Sequence, residues 1–258
     1  MSQIVSCQLY GGLGNQMFQV FTTIAYSLRY NMDFVFHYSD NLGKRPTYWR
    51  TFFASICDHT TTSMPACKEV GQDLAKPGDN QNIMLNGYFQ SYLFFEDHFK
   101  TILKILDVEK QQTNTRKNSI SLHFRRGDYK GLPDCHPIMG MDYYANALNY
   151  ILAFDDTVQC VHYFCEDEDL IDVEKDVSTL KNEFRQIVFE RCQEKADWEE
   201  MIAMSCCKHN IIANSSFSWW GAYLNPNPDK IVCYPSVWFG PLIPENTDAM
   251  FPKNWIKI

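Results

Sequence analysis

The sequence predicts an α/β protein of two Rossmann-like domains facing one cleft. Three observations carry this. A strand, a glycine-rich turn, a helix and a second strand follow one another at the start. A second series of alternating strands and helices begins near residue 119. Between them, residues 109–118 (EKQQTNTRKN) are polar throughout and read as a linker. The division gives an N-terminal domain, 1–113, and a C-terminal domain, 118–258.

Residues 3–10 (QIVSCQLY) read as the first strand, and Gly11–Gly12–Leu13–Gly14–Asn15–Gln16 as a turn. Met17, Val20, Phe21, Ile24, Ala25 and Leu28 then recur at helical spacing and mark one apolar face. Residues 33–38 (DFVFHY) form the next strand. The pattern weakens between residues 47 and 80, punctuated by Pro46, Pro65 and Pro77. A strand over 82–90 and a helix over 92–108 complete the first half. In the second half, 119–125, 158–165, 186–190, 210–214 and 230–234 read as strands. Helices fall at 141–154, 197–208 and 216–224.

The charge balance is −8, against the basic excess of a nucleic-acid binder, so no nucleic-acid partner is expected. No apolar run is long enough to span a bilayer, and no charged and apolar leader precedes Gln3–Ile4–Val5. The expectation is a cytoplasmic protein with no integral membrane segment. The ten cysteines are scattered without a C-x-x-C pair and read as reduced thiols, mostly buried.

Four segments carry chemistry. The turn at Gly12 and Gly14 opens a helix whose free N–H groups suit an anion, although it matches neither a P-loop nor G-x-G-x-x-G. Taken alone, such a turn is more often a tight connection than a site. The run His123–Phe124–Arg125–Arg126–Gly127–Asp128 places two arginines at a strand's carboxyl end. Guanidinium groups there bind a diphosphate through paired, charge-assisted hydrogen bonds and stabilise a departing one. Asp128 is placed to hold an arginine. The third segment ends a strand at Asn214. Ser215 and Ser216 follow at a helix start, where a hydroxyl serves as N-cap or phosphate ligand, with Phe217 next. Trp219 and Trp220 read as packing. Glu166–Asp167–Glu168–Asp169 resembles a metal-binding run but reads better as a helix opening. No metal and no cofactor is expected.

Gly12–Leu13–Gly14–Asn15–Gln16, the run from His123 to Tyr129, and Lys208–His209–Asn210 through Ala213–Asn214–Ser215–Ser216–Phe217–Ser218–Trp219–Trp220–Gly221–Ala222 together resemble the α-1,2-fucosyltransferases, glycosyltransferase family eleven. The order and spacing match over most of the chain. The resemblance implies a GT-B-type fold and metal-independent transfer, with inversion, of L-fucose from GDP-fucose to a hydroxyl of a glycan acceptor, as on the 2-OH of a galactose. It implies that Arg125 assists the leaving β-phosphate, that His123 and Arg126 position the nucleotide, and that Ser215 and Ser216 bind phosphate. Asn15 is implied to face the diphosphate or the acceptor. Where the family usually has an aspartate that can read guanine, this chain has Glu200, with Asp197 one turn earlier. Asp134 is the candidate base by proximity in sequence. The alternatives are a fucosyltransferase of another linkage or acceptor, and a binding protein for GDP-sugar or carbohydrate that has lost turnover.

Overall fold

The computed structural model describes residues 3–258. The chain divides into two compact units. One holds the chain up to Gln111 together with Ala249–Phe251, and the other holds Gln112–Asp248 and Pro252–Ile258. All ten cysteines are free thiols, six of them buried. Among the described residues no helix is long and apolar enough to cross a membrane.

The first unit is built on a parallel sheet of four short strands: β1 (Ile4–Cys7), β2 (Asp33–Phe34), β3 (Lys68–Val70) and β4 (Ile83–Leu85), in the order β2-β1-β4-β3. Helix α1 (Leu13–Tyr30) follows β1. Its apolar residues are not confined to one face. Gln16, Gln19, Thr22 and Thr23 are fully buried as well, whereas Leu28 reaches solvent. The expected helix over 92–108 is broken into two 3-10 turns, α2 (Phe99–Ile105) and α3 (Val108–Gln111). The break between α2 and α3 lies at Asp107, whose φ is +52°. The polar stretch expected to be a linker is therefore helical at its start.

The second unit carries six parallel strands: β5 (Arg116–His123), β6 (Cys160–Phe164), β7 (Val188–Arg191), β8 (Cys207–Ile211), β9 (Val232–Tyr234) and β10 (Ile256–Lys257). Their order is β7-β6-β5-β8-β9-β10, the third, second, first, fourth, fifth and sixth strands of the unit. This is the strand order of the doubly wound dinucleotide-binding fold. The intervening helices are α4 (Met141–Phe154), α5 (Leu170–Glu183), α6 (Asp197–Ser205) and α7 (Ser216–Tyr223). Successive residues of β5 alternate between two faces. Ile120, Leu122 and Phe124 pack with Tyr144, Leu148 and Ile151 of α4 and with Val173 and Val177 of α5. Truncating one such buried leucine to alanine costs about 2–5 kcal/mol. On the other face Ser121 accepts from the buried Asn210 amide at 2.7 Å. Trp219 and Trp220 are fully buried, as packing residues.

Two strand limits differ from expectation in ways that matter for the site. β5 ends at His123 and β8 at Ile211, so Arg125, Arg126 and Asn214 lie in the loops beyond the strands. The loop after β5 adopts backbone that strands do not. Arg126 has φ −127° and ψ −75°, and Gly127 has φ +28°.

Candidate active site

β5 and β8 are neighbours at the centre of the six-stranded sheet. From β5 the chain crosses to one side, and from β8 to the other. In open α/β sheets ligands bind outside the carboxyl ends of strands at this switch point. The arginine run leaves β5 here and the serine turn leaves β8 here.

Arg125 donates to Glu166 and to Asp128, and its guanidinium carbon lies 5.0 Å from the centre of the Tyr129 ring. Burial pulls its pKa down, but the Glu166 and Asp128 carboxylates outweigh this and raise it. Arg125 therefore holds a fixed positive charge while only 18% of its side chain is exposed. Arg126 turns to Asp176 of α5 and is tied there. Its guanidinium lies 6.0 Å from the Phe124 ring.

The segment after β6 supplies the counter-charges. Glu166 takes Arg125, and Asp167 takes Arg191. Asp169, only 2% exposed, accepts from the Gly127 amide at 2.7 Å and from Lys130 Nζ at 2.7 Å. These acidic residues open a 3-10 turn that runs into α5, as the sequence suggested, and they also fasten the arginine loop. Gly127 is required by this fastening. Its φ is positive, and a Cβ there would collide with the Glu166 carboxylate.

His123 is buried, and its ring lies 5.7 Å from that of Phe217. Burial and then the Arg125 charge push its pKa down to about 3, so the imidazole is neutral. Its Nδ1 has no hydrogen-bond partner among the described residues. The Asn214 side-chain amide donates to the carbonyls of Pro137 (2.9 Å) and Trp238 (3.1 Å), and its backbone carbonyl accepts from Tyr129 Oη at 3.0 Å. Ser215 caps α7 by accepting from the Phe217 amide at 3.3 Å. Ser216 is half-buried in the first turn of that helix, where unpaired N–H groups point outward.

Asp134 is exposed, and its carbonyl accepts from the Leu242 amide at 3.0 Å. His136, on the same loop, was not singled out by the sequence. Its ring stacks on Tyr129 at 4.6 Å, so Arg125, Tyr129 and His136 lie in series. Burial lowers the His136 pKa, with Asp128 opposing and Arg125 adding to the shift. Glu200 stands in the first turn of α6, and burial raises its carboxyl to about 7. A backbone hydrogen bond from Glu194 and the Arg191 charge oppose that rise; Asp167 and Asp197 reinforce it.

In the first unit Gly12 is the N-cap of α1, with no atom near its missing Cβ, and Gly14 is buried in the first turn. Asn15 is half-buried and accepts from Gln90 Nε2 at 2.8 Å. Its side chain lies against Gly11, whose φ of +83° and close approach exclude any Cβ. Beside them Tyr10 and Tyr88 meet edge to face at 4.7 Å, and Tyr88 is 44% exposed.

The profile of glycosyl transferase family 11 matches residues 44–258. The chain belongs to this family. It is 33% identical over 190 residues to the O-antigen biosynthesis glycosyltransferase WbnK of Escherichia coli, a stretch covering 67% of this chain and 60% of that protein. It is 26% identical over 307 residues to an alpha-1,2-colitosyltransferase of Escherichia coli, with 99% of each covered. Among solved structures, the fucosyltransferase NodZ from Bradyrhizobium aligns with a TM-score of 0.50 at 10% identity, covering 86% of this chain and 93% of NodZ. The E. coli ADP-heptose lps heptosyltransferase II aligns with a TM-score of 0.51 at 10% identity, covering 99% and 90%. At such identities these likenesses establish the fold, which is of the GT-B type.

Proposed function

We propose that this glycosyltransferase moves L-fucose from GDP-fucose to a hydroxyl of a glycan acceptor, the 2-OH of a galactose, with inversion and without a metal. The observation that carries the reading is Arg125, a desolvated permanent cation at the switch point, beside the capped start of α7. Breaking the bond between fucose C1 and the β-phosphate oxygen leaves that electron pair on GDP. A fixed guanidinium meets the charge as it grows, so it stabilises the transition state more than the ground state. Ser216 and the first N–H groups of α7 suit the same phosphates. Arg126 and His123 act by shaping the loop around Arg125. The Glu200 carboxylate accepts from the guanine N1–H and 2-amino group.

Inversion has the acceptor oxygen attack C1 from the face opposite GDP, and its proton passes to a base. Two groups of one loop compete for that role: Asp134, exposed, and His136, neutral at ordinary pH and stacked on the tyrosine that covers Arg125. Asp134→Asn and His136→Asn variants separate them. The true base loses turnover with little change in the Kd for GDP, and its partner does not. Asn15, paired with Gln90, is assigned to the acceptor or diphosphate from the first unit.

A second reading keeps the α-1,2 linkage and changes the sugar. The relative matched over nearly its whole length is named for colitose. Released GDP, measured with GDP-fucose and with GDP-colitose over a lactose acceptor, decides between the two. Turnover with neither donor, although GDP binds, leaves the non-catalytic binding protein as the reading.

A further inference from the structure

The face of the six-stranded sheet that α6 and α7 cover is only half covered at its β7 edge. Phe164 and Cys192, at the carboxyl ends of β6 and β7, are buried against Ala203 and Met204 of α6, with Phe217 of α7 packed alongside. The amino-terminal half of the same face carries Cys160, His162 and Glu190. Cys160 and His162 are two residues apart on one strand and so project to one side. Glu190 is the register partner of His162 on β7. Cys160 and His162 are half-buried, and Glu190 is exposed.

Their donor atoms converge. Cys160 Sγ lies 3.9 Å from His162 Nδ1 and 3.8 Å from Glu190 Oε2. His162 Nδ1 lies 3.7 Å from that same oxygen. Zinc bonds of about 2.3 Å to sulfur and about 2.0–2.1 Å to nitrogen or oxygen, at tetrahedral angles, set donor atoms roughly 3.3–3.6 Å apart. The three side chains need to close by only a few tenths of an ångström. The donors are one thiol, one imidazole and one carboxylate, which suits a zinc-class ion and not magnesium or calcium. Charge also balances. Thiolate and carboxylate neutralise a divalent ion, and the nearby Arg116 is already paired with Glu194 at 3.3 Å.

We propose that Cys160, His162 and Glu190 form a three-ligand site for a zinc-class divalent cation, pinning the edge strand β7 to β6. Binding displaces the thiol proton to solvent and leaves the fourth position to water. The site lies toward the amino-terminal end of the strands, away from the switch point, and takes no part in sugar transfer. Its test does not depend on activity.

Cobalt(II), titrated into the whole reduced protein, is expected to give a thiolate-to-metal charge-transfer band and the intense visible absorption of a four-coordinate ion. Both saturate at one equivalent and vanish on adding zinc. Cys160→Ser is expected to lose the charge-transfer band, and His162→Ala to lose the visible band. Zinc is expected to raise the unfolding midpoint of the unmodified protein and not that of Glu190→Gln. A charge-transfer band that survives in Cys160→Ser puts the ion on another cysteine and overturns the site. No band in the unmodified protein overturns it equally.

Discussion

The two units build the same local object, a strand, a turn and a helix N-terminus, from opposite chemistry. In the first unit the carboxyl ends of β1 and β4 are held by neutral amides. Gln19 accepts from the Tyr10 amide at 3.1 Å and donates to the Gly87 carbonyl at 3.3 Å, and Gln90 donates to Asn15. In the second unit the equivalent region is held by ions: Arg125 with Glu166 and Asp128, Arg126 with Asp176, Lys130 with Asp169. Each arrangement suits a different ligand. A half-buried cation framed by carboxylates keeps its charge and position, which a diphosphate requires. Amides and half-exposed aromatic rings offer donors, acceptors and a flat apolar face, which suits sugar hydroxyls and ring faces. The contrast teaches that the proposed donor and acceptor roles rest on electrostatics, since the turns themselves are alike.

The sharpest way to break the contrast is Arg125→Ala. If the cation stabilises the leaving diphosphate, turnover falls on the order of 10²–10³-fold, about 3–4 kcal/mol. Circular dichroism and the unfolding midpoint check that the fold survives. Near-normal turnover in a folded variant removes the central role assigned to this residue.

Next in size is a stability effect in the first unit. Gln19 is fully buried and bridges two backbone groups. Gln19→Leu keeps the volume and leaves the Tyr10 N–H and Gly87 C=O unmatched. The expected loss is about 2 kcal/mol, read from the urea midpoint. An unchanged midpoint means that the amides of this unit are not what holds its strand ends together.

The chemistry of both ends was legible locally, because short runs such as His123–Asp128 and Asn214–Ser216 carry it. Their partners were not. Glu166 and Asp176 stand 41 and 50 residues from the arginines they hold, and only the pairing of β5 with β6 and the packing of α5 bring them in. His136 went unseen for a different reason: it lies in the same loop, and its link to Arg125 runs through a ring stack on Tyr129 that no residue spacing reveals. Asn214 read as a ligand; its amide nitrogen serves two loop carbonyls, and its buried Oδ1 has no hydrogen-bond partner among the described residues. The alternating order of the second unit was plain in the sequence, except that α5 was read only at its acidic opening and β10 was missed. β10 has two residues, too few to show a period. The first unit was harder. Its strands run from two to four residues, and α1 buries polar side chains alongside apolar ones, which blurs the expected stripe.

A pH effect sharpens the charged side of the contrast. Burial holds Glu200 near 7, whereas reading guanine requires its carboxylate. Donation from the guanine edge favours the ionised form, so binding GDP lowers this pKa. Affinity is then full above about pH 8 and falls as Glu200 takes up a proton, by about tenfold at pH 6. Calorimetry at both values checks this. Glu200→Gln is expected to bind GDP more weakly at pH 8 and to lose this part of the pH dependence, which separates it from titration of the phosphates. An unaltered profile in the variant removes Glu200 from the guanine site.

The smallest expected effect tests the neutral side. Gln90 holds the Asn15 carbonyl at 2.8 Å, which turns the Asn15 amide nitrogen toward Gly11. Gln90→Leu frees that side chain to rotate without touching any charge. If Asn15 serves the acceptor, the acceptor KM rises several-fold, about 1 kcal/mol, while the Kd for GDP stays as it was. If Asn15 serves the diphosphate instead, the Kd for GDP rises and the acceptor KM does not. The second result would give a neutral amide an anion-binding role, and the division of labour between neutral and charged ends would hold for structure but not for ligand binding.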